Sequence, residues 1–392
     1  MSRMKSSRHH LHQRGFGLVE IMISTVISLF LLGGVIGIFL SNKENYRLQQ
    51  NLARIQENAR YAMNVLMQDI RLAGYSGCNP NITDHLNPAG TGYSNALFNI
   101  NTAVGGWEYA GTAPGQTYNI TSLDPLTANS SSWADDGGSG LPADLVQKVV
   151  PGTDIIVSKH IGKALDVSLA ASGLNANSLS TNSPPSGTGI AQYTILLVSE
   201  DCQTADLFQK RNNANAASIS KGNGNTSNPG PGNVIPGSFG GGQKWSKAYT
   251  SAASLLTFQS TAYYIGQGTS GMPSLWRATF NGGPTGVHVE LVDGVENMQV
   301  LYGEDTDSPV DGVANQFVTI NNITNTQNIV SVRISLLMRA PQEVQSLTTD
   351  TKNYLLTGLT NNSATEINPT NDKRLRVVTT ATIKLRNKGT NL

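Results

Sequence analysis

Residues 14–40, RGFGLVEIMISTVISLFLLGGVIGIFL, form an apolar run that contains one carboxylate, Glu20. A bilayer core needs about 20 consecutive apolar residues, so the run is long enough to span one. An acid inside such a run costs roughly 3 kcal/mol on insertion scales, which makes Glu20 a functional-site candidate by default. Arg3, Lys5, Arg8 and Arg14 precede the run, and positive charge there holds that end in the cytoplasm. A secretory signal would end its apolar core with small residues and a cleavage site. Nothing of that form follows Leu40, which predicts that the apolar segment is kept as an anchor.

The spacing of Gly15, Phe16 and Glu20 adds a second constraint. Counting Phe16 as the first residue, Glu20 is the fifth. The arrangement resembles the class III signal of type IV prepilins and pseudopilins. The resemblance implies a leader, residues 1–15, removed by a prepilin peptidase after Gly15. It implies methylation of the new amine at Phe16 and pairing of Glu20 with the amine of a neighbouring subunit when helices stack. Such a pair offsets part of the cost of burying either charge. Gly17 stands where the family usually has Thr. The alternative reading is an ordinary signal anchor with a stray Glu.

Beyond residues 16–40, the membrane-spanning or filament-core segment, helical periodicity continues through residues 41–74. Leu48, Leu52, Ile55, Ala59, Ala62, Leu66 and Ile70 recur at steps of three or four, marking one apolar face. No proline interrupts Phe16–Ala73, and Gly74 is a natural stop. Gly33 and Gly37 form a small-xxx-small pair that lets helices approach closely, or else gives the segment local flexibility.

Lys and Arg total 27 against 26 Asp and Glu, a net charge of +1. That balance gives no electrostatic case for nucleic-acid binding. Gly, Asn, Ser and Thr are abundant while aromatic residues make up only 6%, which suits an extracytoplasmic β-rich head with long polar loops. Cys78 and Cys202 are the two cysteines. Both fall on the non-cytoplasmic side, where disulfides persist, and one bridge between them is expected, with two buried thiols as the alternative.

Within the head, residues 75–392, stretch 79–140 reads as loops with short strands. Residues 212–242, NNANAASISKGNGNTSNPGPGNVIPGSFGGG, read as a mobile low-complexity loop. Strands are expected at 154–159, 193–199, 261–265, 275–280 and 287–292. The stretch VDGVENMQVLYGED then reads as a turn or short helix leading into a strand. Period-two alternation in Ile329–Arg339 and Arg374–Arg386 predicts strands with one packed and one solvated face. The blocks RYAMNVLMQDIRLAGYSGC, LVDGVENMQVLYG, VRISLLMRA and RLRVVTTATIKLRN resemble the PilW family of type IV pilus minor pilins.

The fold implied is α+β and pilin-like: a long N-terminal helix, membrane-spanning in its first half, packed on an antiparallel sheet head with long loops. The role implied is that of a minor pilin in the initiation of type IV pilus assembly, in a priming or tip complex. Its partners would be prepilin peptidase, other minor pilins, a large tip adhesin, the major pilin and the inner membrane. The head would stand in the periplasm and then on the surface pilus. The rivals are a J-type minor pseudopilin of type II secretion, a membrane-anchored periplasmic adhesin or binding protein, and an anchored hydrolase.

Other candidates are weaker. Asp305, Asp307 and Asp311 lie in an acidic loop with Glu304 that is either a Ca²⁺ site or a solvated turn; its spacing does not fit an EF-hand. Arg374, Arg376, Lys384 and Arg386 form a basic stripe that would meet an acidic neighbour or keep a strand edge solvated. His85, His160 and His288 read as surface or packing residues. No catalytic motif is present, so the chain reads as non-enzymatic, with no cofactor.

Overall fold

A 55-residue helix, Leu18–Leu72, begins the chain, about 80 Å long at 1.5 Å per residue. The computed structural model describes residues 17–78, 81–127, 129–176, 178–182, 187–222, 229–234, 244–345, 347–358, 360 and 363–387. Its helix ends where expected. Gly74 takes φ +78°, a left-handed conformation that glycine adopts without steric cost, and donates its N–H to the Lys159 carbonyl at 2.8 Å.

The head that follows is β-rich. The strand Ser254–Gln267 organises a nine-stranded sheet. One edge of it pairs with Ile155–Ala164. The other pairs first with Ile195–Ser199 through residues 254–257, then with Pro273–Thr279 through residues 261–267. Val287–Asp293 extends this second branch as an edge strand. Gly294, at φ +80°, then turns the chain into a four-stranded sheet of Gln316–Val318, Val295–Glu304, Ile329–Arg339 and Arg376–Lys384, in that order. The stretch after Val292 is thus a glycine turn and a strand, with no helical residues. Pairing is mostly antiparallel, with two parallel exceptions: Asn81–Asp84 beside Thr204–Gln209, and Thr117–Asn119 beside Thr365–Asn368.

The main core lies where the helix meets both sheets. Ile55, Ala59, Ala62, Met63, Leu66 and Ile70 pack with Ile156, Tyr263, Ile265 and Leu275 of the larger sheet. They also pack with Val300, Val332, Ile334, Leu336 and Ile383 of the smaller. Helix stability in such a setting comes chiefly from this packing.

Two expectations fail for physical reasons. The second face of Ile329–Arg339 is not solvated, because the short sheet of Thr117–Asn119, Tyr354–Leu356 and Thr365–Asn368 covers it. Leu337 joins Ile120, Leu356 and Ile367 in a small core there, and Ser335 Oγ accepts the Thr357 N–H at 2.7 Å. Within 212–242, the described residues do not behave as a mobile loop. Ile219 is fully buried in a core with Trp245 and Phe208. The buried Asn233 exchanges hydrogen bonds with the Gln209 backbone, 2.8 Å in each direction. An amide side chain can hold a polar segment in place by pairing with main chain, which a composition count does not register.

Candidate assembly interface

The helix divides into a bare half and a docked half. In Leu18–Leu40 every side chain is exposed, Leu18 at 75% and Phe30 at 80%. The most apolar window has mean hydropathy 2.4 with none of it buried in the head. By length and composition this is the one helix among the described residues suited to cross a membrane. Ser24 Oγ donates to the Glu20 carbonyl and Thr25 Oγ1 to that of Met22, so these two hydroxyls are satisfied inside the helix. Glu20 is the one charged residue on this surface. It sits in the first turn, where the helix dipole favours a carboxylate. A Cβ added at Gly33 or Gly37 would meet nothing within 4 Å, so the close-approach strip is unused by this chain. Gly15 and Phe16 lie outside the described residues.

Docking starts at Asn51, whose Nδ2 donates to the Gln342 carbonyl at 3.4 Å. Leu48 and Leu52 are half-buried, and the fully covered face runs from Ile55 to Ile70 with Met63 added. Asp293, one residue before the turn between the sheets, clamps the helix. Its carboxylate accepts from Arg54 Nη2 at 2.6 Å and from Asn58 Nδ2 at 2.9 Å. At the far end Asn387 Nδ2 donates to the carbonyls of Leu72 and Ala73, adding to the Tyr75 N–H that Leu72 already accepts and helping to satisfy the helix terminus. Asp69 on the last turns is held above its ordinary carboxylate range by burial, against the opposing pull of His160, Tyr263 and Arg277. A disulfide joins Cys78 to Cys202 just beyond the helix.

The basic stripe does not form. Arg376 is buried and its guanidinium is used internally. Nε donates to Glu296 Oε2 at 2.5 Å and Nη2 to Glu296 Oε1 at 3.0 Å. Nη1 donates to Asp372 at 2.7 Å and to Asp350 at 3.1 Å. Arg339 Nη1 adds a second cation to Glu296 at 3.2 Å. Arg374 is tied to the carbonyls of Ala340 and Pro341. Lys384 and Arg386 remain exposed. This network closes the end of the four-stranded sheet nearest the emerging helix.

Two family models match the chain. Residues 262–387 match type IV pilus-assembly protein W, and residues 11–36 match the prokaryotic N-terminal methylation motif. Through these two segments the chain is similar to the PilW family and to type IV pilus-related pilins. No curated protein and no solved structure matches it. The PilW match starts at the middle of the strand Ser254–Gln267 and takes in the whole four-stranded sheet, one of the two sheets on which the docked half-helix rests. The methylation motif covers the bare half-helix through Ile36. Together they fit a membrane-anchored pilin that engages prepilin peptidase and pilus machinery in general. PilW is a structural pilus component.

The PilW-matched segment also holds the acidic loop. The carboxylates of Asp305, Asp307 and Asp311 lie within 4.8 Å of one another. Asp305, however, already accepts N–H groups from Asp307 at 3.1 Å, Asp311 at 2.9 Å and Gly312 at 2.6 Å. Its own loop amides thus do what a cation would, and the geometry is that of a self-capped turn. Each of the three histidines has a carboxylate neighbour that a linear reading could not find. His85 Nε2 meets Asp206 at 2.5 Å, His288 Nε2 meets Asp144 at 2.7 Å, and His160 lies beside Asp69. Burial pushes His85 and His160 down.

Proposed function

We propose that the chain is cut between Gly15 and Phe16 and acts as a minor pilin that helps to initiate type IV pilus assembly within a priming or tip complex. The observation that carries this reading is the division of the helix. One half is covered by the head on one face; the other is uncovered and apolar except for Glu20 and a few hydroxyls. Apolar surface of that extent needs lipid or neighbouring helices around it. Moving from lipid to a helical filament core changes the neighbours without exposing it to water. Glu20 is costly in either place unless paired, and the freed amine of Phe16 on an adjacent subunit supplies the opposite charge. In this reading the head stands in the periplasm during assembly, beside other minor pilins, the major pilin and a large adhesin, and afterwards on the surface.

The test is mass spectrometry of sheared surface filaments beside the inner-membrane fraction. Supporting the reading, a peptide beginning at methylated Phe16 is recovered from filaments, and Glu20→Ala leaves membrane insertion intact while piliation falls. A processed chain confined to the membrane moves the assignment to a secretion pseudopilin. An intact leader in every fraction overturns it.

A further inference from the structure

The face of the nine-stranded sheet turned away from the helix carries a cleft that the assembly reading does not use. Tyr263, Ile265 and Leu275 point into the core beneath the helix; their neighbours Tyr264 and Trp276 lie on the opposite face. These two are directly paired across the strands, with ring planes 16° apart and centroids at 6.4 Å. They help to line a cleft of about 340 Å³, within the usual range of roughly 300–1,000 Å³ for small-molecule sites.

The walls are fixed and electrically balanced. Tyr264 OH meets His288 Nδ1 at 3.0 Å, and His288 Nε2 meets Asp144 at 2.7 Å. The same carboxylate takes Lys148 Nζ at 3.1 Å and the Gly286 N–H at 3.0 Å. A satisfied polar chain of this kind rigidifies its surroundings. It also leaves neither a free cation for an anionic ligand nor a free carboxylate for a cationic one. Gly266 makes room for the indole: a Cβ there would stand 3.0 Å from Trp276 Cδ1. The indole Nε1 is buried with no hydrogen-bond partner among the described residues. What the half-exposed ring shows to the cleft is therefore its carbon surface. Gln147 and Gln267 stand exposed at the rim. Gln147 is held at φ +63°, a left-handed conformation that costs a side-chain-bearing residue energy and tends to occur at functional sites.

A flat carbon platform flanked by Pro125 and the exposed Leu126, with two amides and no unpaired charge, describes a site for a neutral ring that has both apolar faces and hydroxyls. We propose that this cleft binds a neutral oligosaccharide, with one sugar ring lying on Trp276 and its hydroxyls bonded to the amides of Gln147 and Gln267. Because the cleft lies on the far face from the helix, it stays open while the helix is packed. The site goes beyond the assembly role and does not depend on it.

The test uses the full-length chain in a zwitterionic detergent whose head group is not a sugar. Maltotriose, cellotriose and chitotriose are titrated against tryptophan fluorescence and by saturation-transfer NMR. At least one trisaccharide is expected to saturate. Trp276→Ala should weaken it about tenfold, the factor carried by about 1.4 kcal/mol, and Trp276→Phe by less. Gln267→Ala and Gln147→Gly should weaken it several-fold with the thermal midpoint unchanged or, for Gln147→Gly, raised; these rim variants keep the test decisive should Trp276→Ala fail to fold. No saturation by any of the three, saturation unaffected by the variants, or occupation of the same residues by a triproline peptide in place of sugar each overturns the proposal.

Discussion

Removing Glu296 exposes how the head holds its four-stranded sheet together. Glu296 is fully buried and accepts two guanidinium bonds from Arg376 and one from Arg339. Breaking one side of a buried ion pair costs about 3–5 kcal/mol, because a charge is left in low dielectric without its partner. Here Arg376 retains Asp372 at 2.7 Å and Asp350 at 3.1 Å, so Glu296→Ala belongs at the lower end, about 3 kcal/mol. Glu296→Met combined with Arg376→Met removes both charges and refills the volume. Because such replacements are often neutral or stabilising, while Arg339, Asp350 and Asp372 lose a partner, the double variant should recover only part of the loss. The assay is urea unfolding of the full-length chain in detergent, followed at once by far-UV circular dichroism and tryptophan fluorescence. All four tryptophans lie outside the four-stranded sheet, so a dichroism transition that precedes the fluorescence one would locate the damage in that sheet. A Glu296→Ala chain within about 0.5 kcal/mol of wild type, the range of surface substitutions, would refute the reasoning.

Three further outcomes follow from the same contacts. Leu66→Ala, at a fully buried position on the docked half-helix, should cost about 2–5 kcal/mol in the same denaturation assay, whereas Leu32→Ala in the bare half should leave the head unchanged. Replacing Cys78 and Cys202 by Ser opens a loop of sequence separation 124. The chain-entropy relation makes that worth about 5 kcal/mol, and reductant should lower the wild-type midpoint but not the variant's. Burial holds Asp154 up at about 7 from an ordinary 3.8, and burial plus the nearby Asp154 charge holds Glu108 well above its ordinary range. A raised carboxyl pKa contributes stability that is full below the unfolded value and is lost as pH rises through the folded one. The stability that this pair contributes should therefore fall between about pH 4 and 7, read as the difference between wild type and a Glu108 variant. Glu108→Gln should flatten that fall, and an unchanged pH profile in the variant would sink the assignment.

The helix and the late strands were legible because periodicity is a local signal. The steps through Ile55, Ala59, Ala62, Leu66 and Ile70 set the docked face, and the alternation in Ile329–Arg339 matches the strand residue for residue. Alternation fixes which residues share a face, but not what covers the other face. The cover came from Tyr354–Leu356 and Thr365–Asn368, short segments without a pattern of their own. Arg376 misled for a related reason. An arginine at period two reads as solvated unless its acceptors are known, and Glu296 is 80 residues away. The pairing of His288 with Asp144 spans 144 residues and was invisible on the same grounds.

The two halves of the helix answer to different solvents, and the head shows how that division is enforced. Nothing in the backbone changes between Leu40 and Ile55, since the helix is continuous. The change lies in the side chains. Lys43, Glu44, Glu57 and Arg60 replace an unbroken apolar surface, and Asp293 grips Arg54 and Asn58 at the head's margin. An exposed pair such as Arg54–Asp293 contributes little stability, about 0–1 kcal/mol. Its effect is positional: together with Asn51 it fixes how far the helix enters the head, and so where the bare half begins. Sliding the helix by one turn would bring Tyr46 or Arg47 toward the core entrance and expose part of the face from Ile55 to Ile70. Apolar packing makes that slip costly, while the polar clamp specifies which register is kept. The distance from Glu20 to the head is thereby set by the fold, and the proposed pairing of its carboxylate with a neighbour's amine would draw on that register.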